Sequence, residues 1–222
     1  TYTLKGAKMV ITVPSFSSPS PSTLLTNLLN SQNDIPLPKC IVFDLDNTLW
    51  NRPRFKKGGQ PFTPINDGLN GIHGTNGEIL DLFPASRDTL RILNDYHNSV
   101  GSNNDKEQSS GSISISLVSR THRPQWSKEF INTLKVDQTR TVADCIVDPK
   151  NNIIIRDGSK KLHVKEMSQK MGIQPRDMLF FDDRKKDVME VMELGAVAVL
   201  CPYGLMMDDV ELGFSLYANR MN

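Results

Sequence analysis

Five short apolar runs, at residues 40–45, 113–119, 142–147, 178–181 and 196–200, stand out from an otherwise polar chain. They are continuous rather than alternating and rich in β-branched and aromatic residues, a pattern of strands buried on both faces. Between them lie segments whose apolar residues recur at helical spacing. One helix is expected over 85–96, with Pro84 just before it and Leu90 and Leu93 on one face. A second is expected over 124–134, carried by Trp126, Phe130, Ile131 and Leu134. Three more are expected over 159–171 with Gly172 as its stop, 184–194 with Gly195, and 207–218. Strands alternating with helices predict an α/β fold: a doubly wound, Rossmann-like, mainly parallel sheet with helices on both faces.

Two segments break this rhythm. Residues 51–80 carry basic residues early and then Gly68, Gly71, Gly74 and Gly77. That glycine period lacks the prolines of a collagen repeat and contains no phosphate-cradling glycine motif. A mobile flap or small hairpin, a minimal cap directly after the first strand, is expected there. Residues 101–112 are polar and of low complexity, the composition of a flexible loop. Residues 1–33 hold no acidic residue and are rich in Ser, Thr and Pro. They suit a disordered tail or a targeting segment, with a short helical turn over 23–29; a chain opening on Thr1 suits a fragment or processed form. The expected organisation is therefore a tail over 1–36 and one α/β domain over 37–222.

Composition narrows the function classes. Lys and Arg number 26 against 25 Asp and Glu, a net charge of +1, so no nucleic-acid or membrane surface is indicated. Cys40, Cys145 and Cys201 border or lie within apolar runs and read as buried free thiols, which fits a reducing compartment. His73, His97, His122 and His163 have no metal-ligand spacing, although His122 follows a polar strand end. No run is long and apolar enough to span a bilayer.

The chemistry concentrates at strand ends. In Ile41-Val42-Phe43-Asp44-Leu45-Asp46-Asn47-Thr48-Leu49 the first strand ends in two aspartates one residue apart. They either open a turn or form a site where open α/β sheets place ligands, and like charges so close call for a shared cation or proton. Ser119-Arg120-Thr121 follows the second main strand. It is either a helix cap with a solvated arginine or a phosphate cradle in which Arg120 clamps an anion. In Asp157-Gly158-Ser159-Lys160-Lys161, Ser159 caps a helix whose first turn disfavours Lys160 unless it faces carboxylates; otherwise it is a surface lysine. The run Met178-Leu179-Phe180-Phe181 ends in Asp182-Asp183, where Asp183 either caps the next helix or joins a divalent-cation site.

Taken together, Asp44-Leu45-Asp46-Asn47-Thr48, Ser119-Arg120-Thr121, Lys160 and Asp182-Asp183 resemble the haloacid dehalogenase superfamily of phosphohydrolases. Within it, Thr48-Leu49-Trp50, Gly158-Ser159-Lys160 and Phe180-Phe181-Asp182-Asp183 look most like the magnesium-dependent, acid phosphatase-like family, over roughly residues 40–220. Asn47 stands where that family often has an aromatic residue, and the segments after Trp50 and over 101–112 look longer or different. The resemblance implies Asp44 as a nucleophile forming an aspartyl-phosphate and Asp46 as the general acid and base. It implies Ser119 and Lys160, with Arg120, as phosphate-binding residues. Mg²⁺ would be held by Asp44, the Asp46 backbone carbonyl and Asp183, with Asp182 orienting Asp183 or a bound water. Trp50 would line the site entrance or pack internally.

The function expected from the resemblance is a Mg²⁺-dependent phosphomonoesterase acting on a phosphorylated small molecule or phosphoprotein. A minimal cap admits bulky substrates such as phosphotyrosine proteins or sugar-phosphate adducts. The rival readings are another phosphotransferase of the superfamily and a non-catalytic phosphate-binding scaffold. A cytoplasmic location is expected, with residues 1–33 as the alternative organellar address; the oligomeric state has no signature in the sequence.

Overall fold

The computed structural model describes residues 21–30, 36–52, 59–101 and 112–221. Its centre is a five-stranded, all-parallel sheet formed by β1 (Cys40–Phe43), β5 (Ser114–Ser119), β6 (Ile153–Ile155), β7 (Met178–Asp182) and β8 (Val197–Leu200). The order across the sheet is β6-β5-β1-β7-β8, so the chain builds outward from β1 on one side, then returns to build on the other. The reversal lies between β1 and β7, and at their carboxyl ends an open sheet of this kind forms its ligand crevice.

Alternation along the strands explains why both faces must be covered. Ile41 and Phe43 of β1, with Leu117, Leu179 and Phe181, join one core; Cys40 and Val42, with Val118, Met178 and Phe180, join the other. Helices α1 (Pro21–Asn30), α2 (Pro84–Gly101), α3 (Pro124–Thr133) and α7 (Met207–Met221) contribute to the first core through Leu25, Leu90, Phe130 and Phe214. Helices α5 (Lys160–Met171) and α6 (Lys185–Met192) supply Val164, Met167 and Val191 to the second. Phe43 and Phe181 stack with centroids 5.3 Å apart, locking the two central strands side by side. Ser159 caps α5 by accepting from the Leu162 amide at 3.2 Å, and Gly172 closes it at φ 67°, as expected from those residue types.

Two expectations are corrected. The apolar run 142–147 is no strand: Ala143–Cys145 is a turn of 3₁₀ helix. The reason is local, because the Asp144 carboxylate accepts from both the amide and the hydroxyl of Thr141 at 2.8 Å, and this reciprocal cap winds the chain. The edge strand is β6, three consecutive isoleucines that pair with β5 in the register Leu117↔Ile153 after the short helix α4 (Pro149–Asn152). The second correction concerns the expected tail. The helical turn expected over 23–29 is present and extends to a helix over 21–30, but it is part of the fold and not of a tail, because Leu25 and Leu29 are buried in the main core. The remainder of the tail, at 1–20 and 31–35, lies outside the described residues, as do 102–111 of the expected loop.

The glycine-rich insertion forms a small antiparallel sheet of β2 (Thr63–Pro64), β3 (Ile72–His73) and β4 (Ile79–Leu80), with residues 53–58 outside the description. Ile72 and Leu80 are buried in the main core, and the Gly68 carbonyl accepts from the Lys135 amide at 3.1 Å. The cap is thereby seated on the end of α3. No helix among the described residues is long and apolar enough to cross a membrane. All three cysteines are buried and free, and burial pushes the Cys40 and Cys145 thiols up to about 12.

Candidate active site

β1 delivers Asp44 to the sheet's carboxyl edge, held by its amide to the Phe181 carbonyl at 2.9 Å. The chain then turns sharply, because the Leu45 carbonyl accepts from the amides of Thr48 and Leu49 at 3.1 and 2.9 Å. Asn47 takes φ 63° in this turn, a conformation asparagine tolerates better than most residues. The strand is therefore shorter than its apolar run, and the turn folds the side chains of Asn47, Thr48 and Trp50 back onto the acids.

Thr48 is the hinge of this arrangement. Its hydroxyl donates to Asp44 Oδ2 at 3.2 Å and accepts from the Asp183 amide at 3.0 Å, joining the ends of β1 and β7. Asn47 Nδ2 donates to Asp183 Oδ2 at 3.1 Å. Asp183 makes no cap to α6; the Arg184 amide is instead taken by Asp182 Oδ1 at 2.9 Å. Oxygen atoms of Asp44, Asp182 and Asp183 all lie within 4.8 Å of one another. Asp46 adds no carboxylate to this group, because its Oδ1 accepts from Trp50 Nε1 at 2.8 Å.

Lys160 is 2% exposed and far from a surface lysine. Its ammonium donates to Asp44 Oδ1 and to the Val118 carbonyl, the latter at 2.9 Å. It also lies 3.1 Å from Asp182 Oδ2, a pairing by charge without hydrogen-bond alignment, so that oxygen is buried without a hydrogen bond. Burial alone would lower the lysine pKa, but Asp44 and Asp182 outweigh it and hold the ammonium charged. Burial raises the pKa of Asp182, with Asp44 adding to the rise and Lys160 opposing it. Burial likewise raises Asp183, against the Asn47 hydrogen bond. Burial also raises Asp46, against the Trp50 hydrogen bond and with the Asp44 charge adding.

Residues 36–220 match the sequence model of the family described as Acid Phosphatase. The chain belongs to that family. A HAD-like hydrolase superfamily protein of Schizosaccharomyces pombe is 29% identical over 162 residues, 73% of this chain and 84% of its own length. Human Magnesium-dependent phosphatase 1 is 26% identical over 182 residues, 82% of this chain and 88% of its own. Among solved structures, the N-terminal part of a Bacteroides fragilis protein, described as containing a phosphatase domain complexed with Mg, aligns over 83% of this chain. Its TM-score is 0.48 at 18% identity, and this chain spans 40% of that one. Membership of a phosphatase family agrees with the superfamily resemblance carried by the four strand-end motifs.

In this chain the structure brings Asp44, Lys160, Asp182 and Asp183 together, with Ser119 buried at the end of the neighbouring β5. Of the two readings of Trp50, the structure bears out internal packing, and it gives Arg120 a partner of its own. Arg120 forms an ion pair with buried Asp187 of α6, 3.1 Å away, and lines a cleft beside Asp46. Trp50 is fully buried, edge-on to Phe130, so it supports Asp46 from inside and does not line an entrance. Thr48 and Asn47 had no role in the sequence reading. The signal for Thr48 is its position four residues after Asp44, the reach of one tight turn.

The Lys160 turn has its own support. Gly158 adopts φ +131°, and a Cβ there would stand 2.9 Å from His163 Nε2. His163 is fully buried, its Nε2 lies 3.3 Å from the Asp157 carbonyl, and its Nδ1 has no hydrogen-bond partner. Burial lowers its pKa, so the unfolded chain takes the proton first as pH falls. The stability contributed by neutral His163 is therefore full above about pH 6.5 and is lost progressively below it. His163→Gln should flatten that part of the pH dependence of the urea midpoint between about pH 6.5 and 5. Identical losses in the two proteins would remove His163 from the account.

Proposed function

We propose that this protein is a Mg²⁺-dependent phosphomonoesterase that works through a phospho-aspartyl intermediate on Asp44. The observation that carries this reading is the setting of Asp44. Lys160 holds one of its carboxylate oxygens and Thr48 the other, beside two further acids at the adjoining strand end.

Three carboxylates against one ammonium leave an excess of negative charge, and the buried Asp182 Oδ2 lacks a hydrogen bond. A hard divalent cation with oxygen preference fits that donor set. Asp44, Asp183 and the Asp46 carbonyl would hold it, with Asp182 in support. When bound, Mg²⁺ neutralises charge on the acids and on the phosphate oxygens they face.

The chain's own residues then divide the reaction. An Asp44 oxygen attacks phosphorus as the bond to the leaving oxygen breaks, and Asp46 gives that oxygen its proton. Burial of Asp46 favours the protonated form this step needs. Asp46 next takes a proton from water; the water oxygen attacks phosphorus, the bond to Asp44 breaks and inorganic phosphate leaves. Ser119 and Lys160 hold the phosphate oxygens. The short cap strands leave room for phosphoproteins, phosphotyrosine included, or sugar-phosphate adducts.

Hydrolysis of 4-nitrophenyl phosphate should require Mg²⁺ and stop on chelation. Asp183→Asn should raise the Mg²⁺ concentration giving half-maximal rate by about tenfold or more. Turnover indifferent to chelator would sink the metal assignment. A protein silent on a broad panel of phosphoesters would favour the phosphate-binding scaffold.

A further inference from the structure

The three clustered acids are not held alike. Asp44 is gripped at both oxygens, by Lys160 and Thr48, and Asp182 is buried with its Oδ1 on the Arg184 amide. Asp183 is only half-buried. Among the described residues, the one hydrogen-bond donor its carboxylate meets is Asn47 Nδ2, 3.1 Å from Oδ2. Without that donor, repulsion from the neighbouring acids would favour turning the Asp183 carboxylate out to water.

Asn47 is itself fixed. Its backbone turns at φ 63°, its amide donates to the Trp50 carbonyl at 2.8 Å, and its Oδ1 accepts from the Arg52 amide at 3.2 Å. That last contact decides which end of the side chain faces the acid: the oxygen is taken, so the NH₂ group points at Asp183. We infer that Asn47 is a positioning residue that fixes the orientation of Asp183 and thereby makes the acid cluster prefer Mg²⁺ over Ca²⁺. Mg²⁺ demands near-octahedral geometry at short range, whereas Ca²⁺ accepts looser and more numerous oxygens, so an acid locked before binding favours the smaller ion. The inference rests on the metal site proposed above.

The test is calorimetric titration of the metal-free protein with MgCl₂ and, separately, with CaCl₂. Asn47→Gly suits the φ of 63° and deletes the side chain alone. It should raise the Mg²⁺ dissociation constant about tenfold and that of Ca²⁺ about threefold at most, so the preference for Mg²⁺ falls. Added to Asp183→Asn, the same change should leave Mg²⁺ affinity within about twofold of Asp183→Asn alone, because the group it acts through is already altered. In the unaltered protein, a side-chain amide proton of Asn47 should exchange with water more slowly once Mg²⁺ binds, read by NMR. Unchanged Mg²⁺ affinity in Asn47→Gly, equal weakening for the two ions, full additivity with Asp183→Asn, or exchange of both Asn47 protons at the solvent rate overturns the inference while the Mg²⁺ site stands. An unaltered protein that binds no Mg²⁺ overturns both.

Discussion

Asp44→Asn should lower kcat on any phosphomonoester by about 10⁴-fold or more while leaving the protein folded. The amide keeps an oxygen for Lys160 or Thr48 but is a poor nucleophile, so the covalent step is lost. The same change removes one of three mutually repelling carboxylates packed within 4.8 Å. Metal-free Asp44→Asn should therefore melt at or above the temperature of the unaltered protein, and should gain less from added Mg²⁺. The two readouts separate roles that activity alone confounds. Trapped acyl-phosphate should be found with the native residue and not with asparagine. Undiminished turnover in Asp44→Asn would eliminate the nucleophile assignment.

Lys160→Met is expected to be the most destabilising single change at the site. The methionine fills a similar volume but strands Asp44 and Asp182, both buried, without their cation. Breaking a buried pair in this way costs about 3–5 kcal/mol, read as a shift of the urea midpoint in metal-free protein. Adding Mg²⁺ should recover part of that loss, because the stranded carboxylates gain another cation. Combining Lys160→Met with Asp44→Asn should cost less than the sum of the two, since the second change removes a charge that the first left unpaired. Turnover should fall about 10²- to 10³-fold for want of the ammonium facing the transferring group. A stability equal to that of the unaltered protein would mean that water, not burial, surrounds these acids.

The strand ends were legible in the sequence because each carries its chemistry within a few consecutive residues. Asp44 with Asp46, Ser119 with Arg120, Ser159 with Lys160 and Asp182 with Asp183 each follow an apolar run or open a helix, and each lies where that pattern placed it. Helix stops at Gly172 and caps at Ser159 were legible for the same reason: one residue decides them. The edge strand was not. The runs 142–147 and 153–155 are both short and apolar, and a carboxylate–hydroxyl cap at Thr141 and Asp144 decided between them. The helical turn over 23–29 was legible, but its place in the core was not, because its leucines become core only against surfaces distant in the chain.

By itself, then, the sequence determined the α/β layering and the identity of the acids, hydroxyls and lysine offered at the sheet's edge. Periodicity and residue chemistry act over short windows, and short windows suffice for both. Tertiary structure alone decided which of those groups meet. Lys160 and Asp44 are 116 residues apart and Asn47 and Asp183 are 136, and register across β1, β5 and β7 brings them into contact. The same packing gave Arg120 to Asp187, turned Trp50 inward to Asp46, and left Arg52 and Arg123 facing the cleft. Pairing energies depend on distance and burial, and neither exists until the sheet has closed around its two cores.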